Sequence, residues 1–366
     1  MEELPCYIAL TQAAGIGPVT ARNLIGYCGS AEAVFKVKPK ELLRIPGIGP
    51  ATVAALCEPE LHRLAEREMN FLLKNDIVGL PFTHAQYPQR LSEYDDSPIV
   101  VYFKGSDPTL LSAARILSVV GTRQPTEYGK TLCGEIIEGL KDAGVVVVSG
   151  LAFGIDAAAH RHSIAADIPT VGIVAHGLSH LYPAEHRQLA ARMCEHGGLL
   201  SEHLHLVKAE REHFPMRNRL IAGICDALLV IESGEKGGSM ITAQLANGYN
   251  REVFALPGRA RDPKSAGCNL LIRDNLARLV SSAADVIEAM NWDAEPRRAS
   301  IQLSLFDDLD DTERALLRLI AQRPEIHIDA LAAAVGTDSG SLAALLLSLE
   351  FKGYIRPLPG KRYMVV

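Results

Sequence analysis

The stretch EHFPMRNRLIAGICDALLVIESGEKGGSMITAQLA, residues 212–246, places an apolar strand, a glycine turn and the start of a helix in succession. Its apolar run 227–231 lies between turn residues, a pattern typical of a strand buried on both faces. Gly237 and Gly238 follow, and we expect Ser239 to be the N-cap of the next helix. Free N–H groups and the positive end of a helix dipole meet at such a turn, so the sequence predicts an anion site.

Strand and helix patterns alternate around this stretch, from residue 115 to about residue 290. The predicted strands are 116–120, 145–148, 171–174, 227–231 and 253–256. This alternation predicts an α/β fold with a doubly wound parallel sheet. Each strand is followed by a glycine-bearing turn, and in such a sheet these turns line one crevice at the carboxyl edge.

Four arginines are expected to reach that crevice, and they favour a phosphate ligand because a guanidinium presents a planar fork to phosphate oxygens. They are Arg123, Arg217, Arg219 and Arg259. Two phenylalanines, Phe153 and Phe214, are expected to offer stacking faces to unpaired bases. Taken singly, each arginine is better explained by a surface or interdomain salt bridge and each phenylalanine by a core position. As a set on one edge, they favour a phosphate-binding cleft.

The sequence lacks the motifs of several common nucleotide-binding sites and catalytic sites. No strand is followed by G-x-G-x-x-G, and neither GxxxxGK[ST] nor G-x-S-x-G occurs, which disfavours a dinucleotide, a P-loop triphosphate and an acyl-transfer serine. The histidines at 160, 162, 176, 180 and 186 have no H-E-x-x-H or similar spacing, so we interpret them as core or surface residues. We predict no metal, no cofactor and no catalytic residue.

The first segment of the chain contains a repeat that is typical of helix-hairpin-helix proteins. Gly15 and Gly17 precede one helical stretch, and Gly47 and Gly49 precede a second, 32 residues later. Glycines at such turns let the backbone approach a sugar-phosphate chain, so these four residues are possible DNA contacts. The alternative is a pair of packed helical hairpins in which glycine serves only the turn.

Further segments, in the same order and at the same spacing from about 112 to 280, resemble the bacterial DNA-processing protein A family (DprA/Smf). They are Gly121-Thr122-Arg123, the segment 149–156 (SGLAFGID) with His160, Leu181-Tyr182-Pro183, Leu200-Ser201-Glu202, the segment 214–219 (FPMRNR), the segment 238–243 (GSMITA), the segment 253–258 (VFALPG) and the segment 267–272 (GCNLLI).

The resemblance implies a Rossmann-like domain that binds single-stranded DNA, forms a homodimer and hands the strand to the RecA recombinase during DNA uptake or recombination. It also implies that phosphate contacts fall on Arg123, Gly154, Arg217, Gly238 and Ser239. The predicted binding set is completed by Gly121, Gly150, Phe153, Phe214, Asn218, Arg219, Gly237, Thr242 and Arg259.

A different function, nucleotide or nucleotide-sugar hydrolysis, is suggested by a similarity to lysine-decarboxylase-like (LOG) enzymes. Those enzymes use a glycine turn, a threonine and a glutamate in the following helix. Here Thr242 is followed by Ala243, Gln244 and Leu245, so the acid or base that hydrolysis needs is not in the expected place. The sequence therefore favours a binding protein over an enzyme.

The bulk composition is that of an ordinary globular protein of two or three domains, with 366 residues and a formal charge of −6. That charge argues mildly against a polyanion partner but does not describe local patches. Seven scattered cysteines without a CxxC pair, an acidic N-terminus and the lack of a membrane-spanning apolar run predict a cytoplasmic protein with reduced thiols.

We expect four segments: a helical helix-hairpin-helix/SAM-like domain (1–78), an extended Rossmann-like domain (79–290), a polar linker (291–311) and a C-terminal winged helix (312–366). The linker contains a motif similar to those that dock on the DNA-polymerase sliding clamp, formed by Gln302, Leu303, Leu305 and Phe306. The alternative is that the motif packs on its own domain. The last predicted helix is apolar and lacks basic side chains, which favours contact with protein over base recognition.

Overall fold

The computed structural model describes residues 3–292, 311–322, 326–328, 331–332, 339–352, 354–358 and 362–365. The chain divides into two compact units, Met1–Pro296 and Arg297–Val366. The clamp-like residues Gln302, Leu303, Leu305 and Phe306 lie outside the described residues, as does most of the predicted linker. In the described ranges, every helix is too short or too polar to cross a membrane.

The chain begins with a helical region that contains the predicted repeat. Its helices are α1 (Leu4–Gln12), α2 (Pro18–Cys28), α3 (Ala31–Lys36), α4 (Pro39–Leu42), α5 (Pro50–Leu56) and α6 (Glu60–Lys74). Gly17 and Gly49 are the N-caps of α2 and α5, each followed by a proline whose fixed φ suits the first helical position. Gly15 and Gly47 have φ values of +74° and +81°, which favour glycine. The two glycine turns therefore open two helices, as predicted.

The central region carries a sheet of nine strands within the described residues. The strands are β1 (Val78–Pro81), β2 (Val100–Gly105), β3 (Ile116–Val120), β4 (Val146–Ser149), β5 (Thr170–Ile173), β6 (Gly197–Ser201), β7 (Ala227–Val230), β8 (Glu252–Ala255) and β9 (Arg278–Leu279). The helices are α7 (Gln89–Ser92), α8 (Glu127–Gly139), α9 (Ile155–Ala165), α10 (Arg187–His196), α11 (His213–Ile224), α12 (Gly238–Gly248), α13 (Ala266–Arg273) and α14 (Ala283–Met290).

The strand order is β1-β2-β6-β5-β4-β3-β7-β8-β9. Neighbours from β6 to β9 pair in parallel, whereas β1 and β2 pair antiparallel at one edge. The order reverses between β3 and β7, so the turns that follow these two strands diverge and leave a crevice at the carboxyl edge. The parallel, doubly wound prediction is confirmed, and the five predicted strands all form, with bounds shifted by one residue at most.

Strand β6 and its antiparallel pairing with β2 were not predicted. β6 begins with two glycines, which give no apolar periodicity for a sequence pattern to detect. The packing explains the glycines: a Cβ on Gly198 would lie 2.5 Å from the Phe103 ring, and one on Gly105 would lie 2.1 Å from the Gly197 carbonyl oxygen. Absence of side chains lets β2 and β6 approach, and only the folded sheet reveals this need.

Helices cover both faces of the sheet and bury it completely at the centre. On one face α11, α12 and α13 contribute Ile221, Met240, Ala243 and Leu271 to the core. On the other face α8, α9 and α14 contribute residues that include Ile136, Ala159 and Val286. Because β3 is buried at all five positions, its sequence is apolar except for Ser118, whose hydroxyl donates to the Ile221 carbonyl oxygen at 2.7 Å; this apolar pattern is why the sequence alone located the strand.

The C-terminal unit contains the elements expected of a winged helix. They are α15 (Asp311–Gln322), β10 (Ile326–His327), α16 (Ser339–Phe351), β11 (Ile355–Leu358) and β12 (Arg362–Val365), with an antiparallel sheet in the order β10-β12-β11. The buried Glu313 carboxylate accepts hydrogen bonds from Lys352 Nζ at 2.8 Å and from Ser348 Oγ at 2.7 Å, which joins α15 to the end of α16. The sequence also predicts a helix over residues 328–335, and this segment lies only partly in the described residues.

Helix α16 presents no basic side chain, as its sequence indicates. Its exposed residues include Ser341, Ala343, Ala344, Leu347 and Glu350. This surface therefore has no arginine or lysine side chain that could donate hydrogen bonds to base edges or phosphates. A role in protein contact stays a prediction.

Candidate nucleic-acid interface

A cleft of about 320 Å³ lies at the carboxyl ends of β3 and β7, where the strand order reverses. It lies between the turn after β3, the first turns of α11 and the start of α12. The sequence-predicted residues that line it are Gly121, Arg123, Phe214, Arg217, Asn218, Gly237, Gly238, Ser239 and Thr242. Residues far apart in the sequence thus meet at one edge, as the glycine turns predicted.

The start of α12 forms one wall of the cleft. Gly237, not Ser239, is the N-cap, so the N-cap prediction for Ser239 is wrong. Ser239 lies inside the first turn of α12, where its Oγ donates to Ser233 Oγ at 2.8 Å instead of accepting from a helical N–H group. In the described part of the chain, the backbone N–H groups of Gly238 and Ser239 donate to no protein acceptor. Together with the helix dipole, they make this wall attractive to an anion.

Arg217 lies at the back of the cleft, 4% exposed. Its Nη1 donates to the carbonyl oxygens of Gly150, at 2.7 Å, and Ile173, and its Nε donates to Asn218 Oδ1 at 3.3 Å. Within the described residues its Nη2 has no acceptor. Burial lowers the pKa of Arg217 to about 10, so the guanidinium is still charged at neutral pH. The ends of β4 and β5 therefore orient a positive charge whose remaining donors face the cleft.

Arg123 lies at the mouth of the cleft and is exposed. Its Cζ lies 5.5 Å from the centroid of the Phe214 ring, within the range of a cation–π interaction. This contact orients the guanidinium across the opening without neutralising its charge. Arg123 is thus a solvent-accessible cation in the described structure, next to the start of α12.

An aromatic surface adjoins the cleft and shares Arg123, Phe214 and Arg217 with it. The predicted Gly150 and Phe153 lie here, and the Phe153 side chain is 41% exposed. Tyr182, 46% exposed, packs edge-on against Phe214 with ring centroids 5.7 Å apart. Tyr182 was not among the predicted binding residues, although the segment Leu181-Tyr182-Pro183 is part of the resemblance to the DprA/Smf family.

Two buried histidines support this aromatic surface, in agreement with the interpretation that the histidines of this region are core or surface residues. His176 Nε2 accepts from the Tyr182 backbone N–H at 3.1 Å, and its Nδ1 lies 3.0 Å from the Gly177 oxygen. Burial lowers the pKa of His176, which keeps the ring neutral. His186 lies beneath Phe153 with ring centroids 5.0 Å apart. His176 thus fixes the loop of Tyr182, and His186 fixes the β4–α9 turn of Phe153, since its Nδ1 lies 2.9 Å from the Leu151 oxygen.

Two of the predicted arginines do not reach the cleft. Arg219 forms a largely buried ion pair with Glu202, and Arg259 lines a second cleft behind the β7 turn. Residues two apart on a helix point in nearly opposite directions, so Arg217 and Arg219 of α11 cannot share one site. The expectation that all four arginines meet in one crevice is therefore wrong.

Glycines 150 and 154 shape the turn between β4 and α9. A Cβ on Gly150 would lie 2.7 Å from both Arg217 Nη2 and Asp156 Oδ2, so only glycine leaves room for these groups. Gly154 has a φ of +84° and packs against the Thr122 carbonyl. Asp156 occupies the first turn of α9 and lines the cleft; burial raises its pKa, and the charge of Arg217 acts in the opposite direction.

Acidification is expected to destabilise the central region through His160, whose Nδ1 lies 2.7 Å from Thr170 Oγ1 at full burial. Burial lowers the pKa of His160 from 6.5 to about 3. The unfolded chain therefore takes up a proton below about pH 6.5 while the native state does not, which costs about 2 kcal/mol of stability between pH 7 and pH 5.

Urea unfolding at the two pH values measures this dependence in wild type and in His160→Asn, where an amide keeps a polar partner for Thr170. The variant should lose about 2 kcal/mol of the pH dependence, whatever its stability at pH 7. An unchanged pH dependence in the variant would show that His160 titrates normally in the native state.

The sheet is Rossmann-like, and its anion-attracting cleft lies where the strand order reverses. These two features define a class of α/β proteins that bind phosphate-bearing ligands. The sequence profile described as DNA recombination-mediator protein A matches residues 79–291, more than half of the chain. The chain belongs to this DprA family. Two further profiles match: a SAM-like helix-hairpin-helix tandem over residues 7–58 and the DprA winged helix domain over residues 305–361.

Curated relatives and solved structures agree with this assignment. The DNA processing protein DprA of Bacillus subtilis is 44% identical over 214 residues, which cover 58% of this chain and 71% of the relative. Protein Smf of Synechocystis is 29% identical and covers 98% of this chain and 97% of its own length. The crystal structure of DprA from Streptococcus pneumoniae, 30% identical, superposes with a TM-score of 0.67 over 78% of this chain and 97% of that one.

A DprA structure from Helicobacter pylori is described by its single-stranded DNA binding mode. It is 27% identical and superposes with a TM-score of 0.54, covering 59% of this chain and 96% of that chain.

Proposed function

We propose that the central cleft binds single-stranded DNA by its phosphates, largely without regard to base sequence. The observation that carries the proposal is the convergence of the exposed Arg123, the Nη2 group of Arg217 and the unpaired N–H groups at the start of α12. All of these groups attract anions and none of them reads a base edge. Family membership and the DNA-binding relative from Helicobacter pylori support the same ligand.

The neighbouring aromatic surface supports a single strand over a duplex. Phe153 and Tyr182 are 41% and 46% exposed, and Phe214 lies between Tyr182 and Arg123. Unpaired bases stack on such rings, whereas the bases of a duplex are already stacked on each other. Tyr182 therefore joins Phe153 and Phe214 in the proposed base-contacting set.

Further parts of the proposal concern partners. The bound strand is handed to the RecA recombinase, and the protein acts as a homodimer through its Rossmann-like domain without catalysing a reaction. The glycine turns at Gly15, Gly17, Gly47 and Gly49 are possible additional backbone contacts, because a Cβ at any of them would meet open space. Their surface is therefore open to a DNA backbone.

The test is anisotropy of labelled oligo-dT across a salt series, beside a duplex of equal length. We expect tighter binding of the single strand and a log–log salt slope of about −1.4 or steeper, about 0.7 for each phosphate neutralised by Arg123 and Arg217. Equal affinity for duplex would contradict the proposal. Incubation with free nucleotides tests the alternative, a hydrolase that uses the same cleft; product formation would favour it.

A further inference from the structure

A second cleft, of about 760 Å³, opens on the other side of the β7 turn from the first. Leu132, Ile231 and Leu256 form apolar walls, and Tyr128 of α8 stands at the rim with its side chain 64% exposed. The acidic groups of this cleft already accept hydrogen bonds: Glu232 from the Thr126 N–H at 2.8 Å and hydroxyl at 2.5 Å, and Asp262 from the Lys264 N–H at 2.9 Å. The cleft thus combines an apolar interior with an exposed aromatic ring.

The loop after β8 holds Arg259 at this rim. Asn269 fixes the loop, since its Oδ1 accepts from the Gly258 N–H at 3.1 Å and its Nδ2 donates to the oxygens of Gly258 at 3.1 Å and Arg259 at 3.4 Å. A Cβ on Gly258 would lie 1.9 Å from Ser265 Oγ, so this position requires glycine. The Arg259 side chain is exposed and, within the described residues, has no ion-pair partner.

Two further cationic side chains lie in the loop that carries Arg259. Lys264 Nζ donates to the Gln124 carbonyl oxygen at 2.5 Å and so lies beside the residue that follows Arg123. Lys264 belongs to the same loop as Arg259, and the exposed Arg261 lies between them in sequence. A polyanion that leaves the first cleft at Arg123 therefore meets further positive charge in the direction of the second.

We propose that the second cleft is a further subsite for the same DNA strand. It takes one nucleotide beyond those bound at Arg123, with the base on Tyr128 and against the apolar walls and the phosphate at Arg259. This inference rests on the proposed single-strand binding and extends the length of strand that one chain holds. The exposed charge of Arg259 supports a nucleotide as the occupant, and the Lys264–Gln124 hydrogen bond places the loop of Arg259 beside Arg123.

Anisotropy with oligo-dT of about 4 to about 24 nucleotides tests the subsite in Tyr128→Ala and Arg259→Ala, because loss of one stacked base weakens binding about five-fold or more. The loss should appear only on strands long enough to span both clefts. Arg192→Ala is the matched control, since Arg192 is exposed on α10 and lines neither cleft. In parallel, 5-iododeoxyuridine placed along the strand should crosslink to Tyr128.

Three outcomes are distinguishable. A length-dependent loss in both variants, with a Tyr128 crosslink, supports the subsite. If wild type binds oligo-dT but both variants match it at every length and Tyr128 stays unlinked, the second subsite is wrong while single-strand binding in the first cleft stands. If wild type binds no oligonucleotide, the proposed function fails and the subsite with it.

Discussion

Arg123→Ala should weaken single-strand binding about 30-fold, equivalent to about 2 kcal/mol, the size of a lost charged hydrogen bond. Arg123 is exposed at the mouth of the cleft, and the Phe214 ring orients it without cancelling its charge. Its removal deletes a phosphate contact, so the magnitude of the salt slope should also fall by about 0.7. Anisotropy titration of oligo-dT at several salt concentrations measures both quantities.

Two controls separate a phosphate contact from general damage. Arg123→Lys keeps the charge but loses the planar fork, so it should recover the salt slope and part of the affinity. Arg219→Ala removes an arginine of the same helix as Arg217 that pairs with Glu202 outside the cleft, and its salt slope should match wild type. An Arg123→Ala protein with wild-type affinity and slope would remove Arg123 from the site.

Gly154→Ala should cost about 3 kcal/mol of stability or more, because the new methyl group combines a backbone conformation reserved for glycine with a steric clash. Gly154 has a φ of +84°, and a Cβ there would lie 2.2 Å from the Thr122 carbonyl oxygen. That oxygen also accepts from the Ile155 N–H at 3.2 Å, so the start of α9 and the turn carrying Arg123 would separate. We expect DNA affinity to fall together with stability.

Gly26→Ala is the matched control for this substitution. Gly26 lies inside α2, and a Cβ there would meet nothing within 4 Å. Alanine is a better helix former than glycine, so the free energy of unfolding of this variant should rise by about 0.5–1 kcal/mol. Urea unfolding of the two variants gives the comparison, and similar stabilities for both would rule out the assigned role of Gly154.

The positions of the two arginines of α11 relative to the cleft were not predicted correctly from the sequence. The pair Arg217 and Arg219 predicted a phosphate site, yet one residue lies at the back of the cleft and the other pairs with Glu202. The helical period separates them by about 200°, which a confident helix assignment over 213–224 would have indicated. The partner that neutralises Arg219 comes from the end of β6, a strand that the apolar pattern did not reveal.

The sequence was enough to predict the parallel sheet, its central strands and the edge at which the cleft lies, because strands buried on both faces leave largely apolar runs and their turns require glycine. It also indicated the helix-hairpin-helix repeat through the glycines at 15, 17, 47 and 49. Which of the positive charges are available to a ligand depends on the folded structure. The exposure and ion pairing of each arginine depend on residues that are distant in sequence. Gly150 and Ile173 orient Arg217, and Glu202 neutralises Arg219. The loop after β8 places Arg259 at a separate cleft.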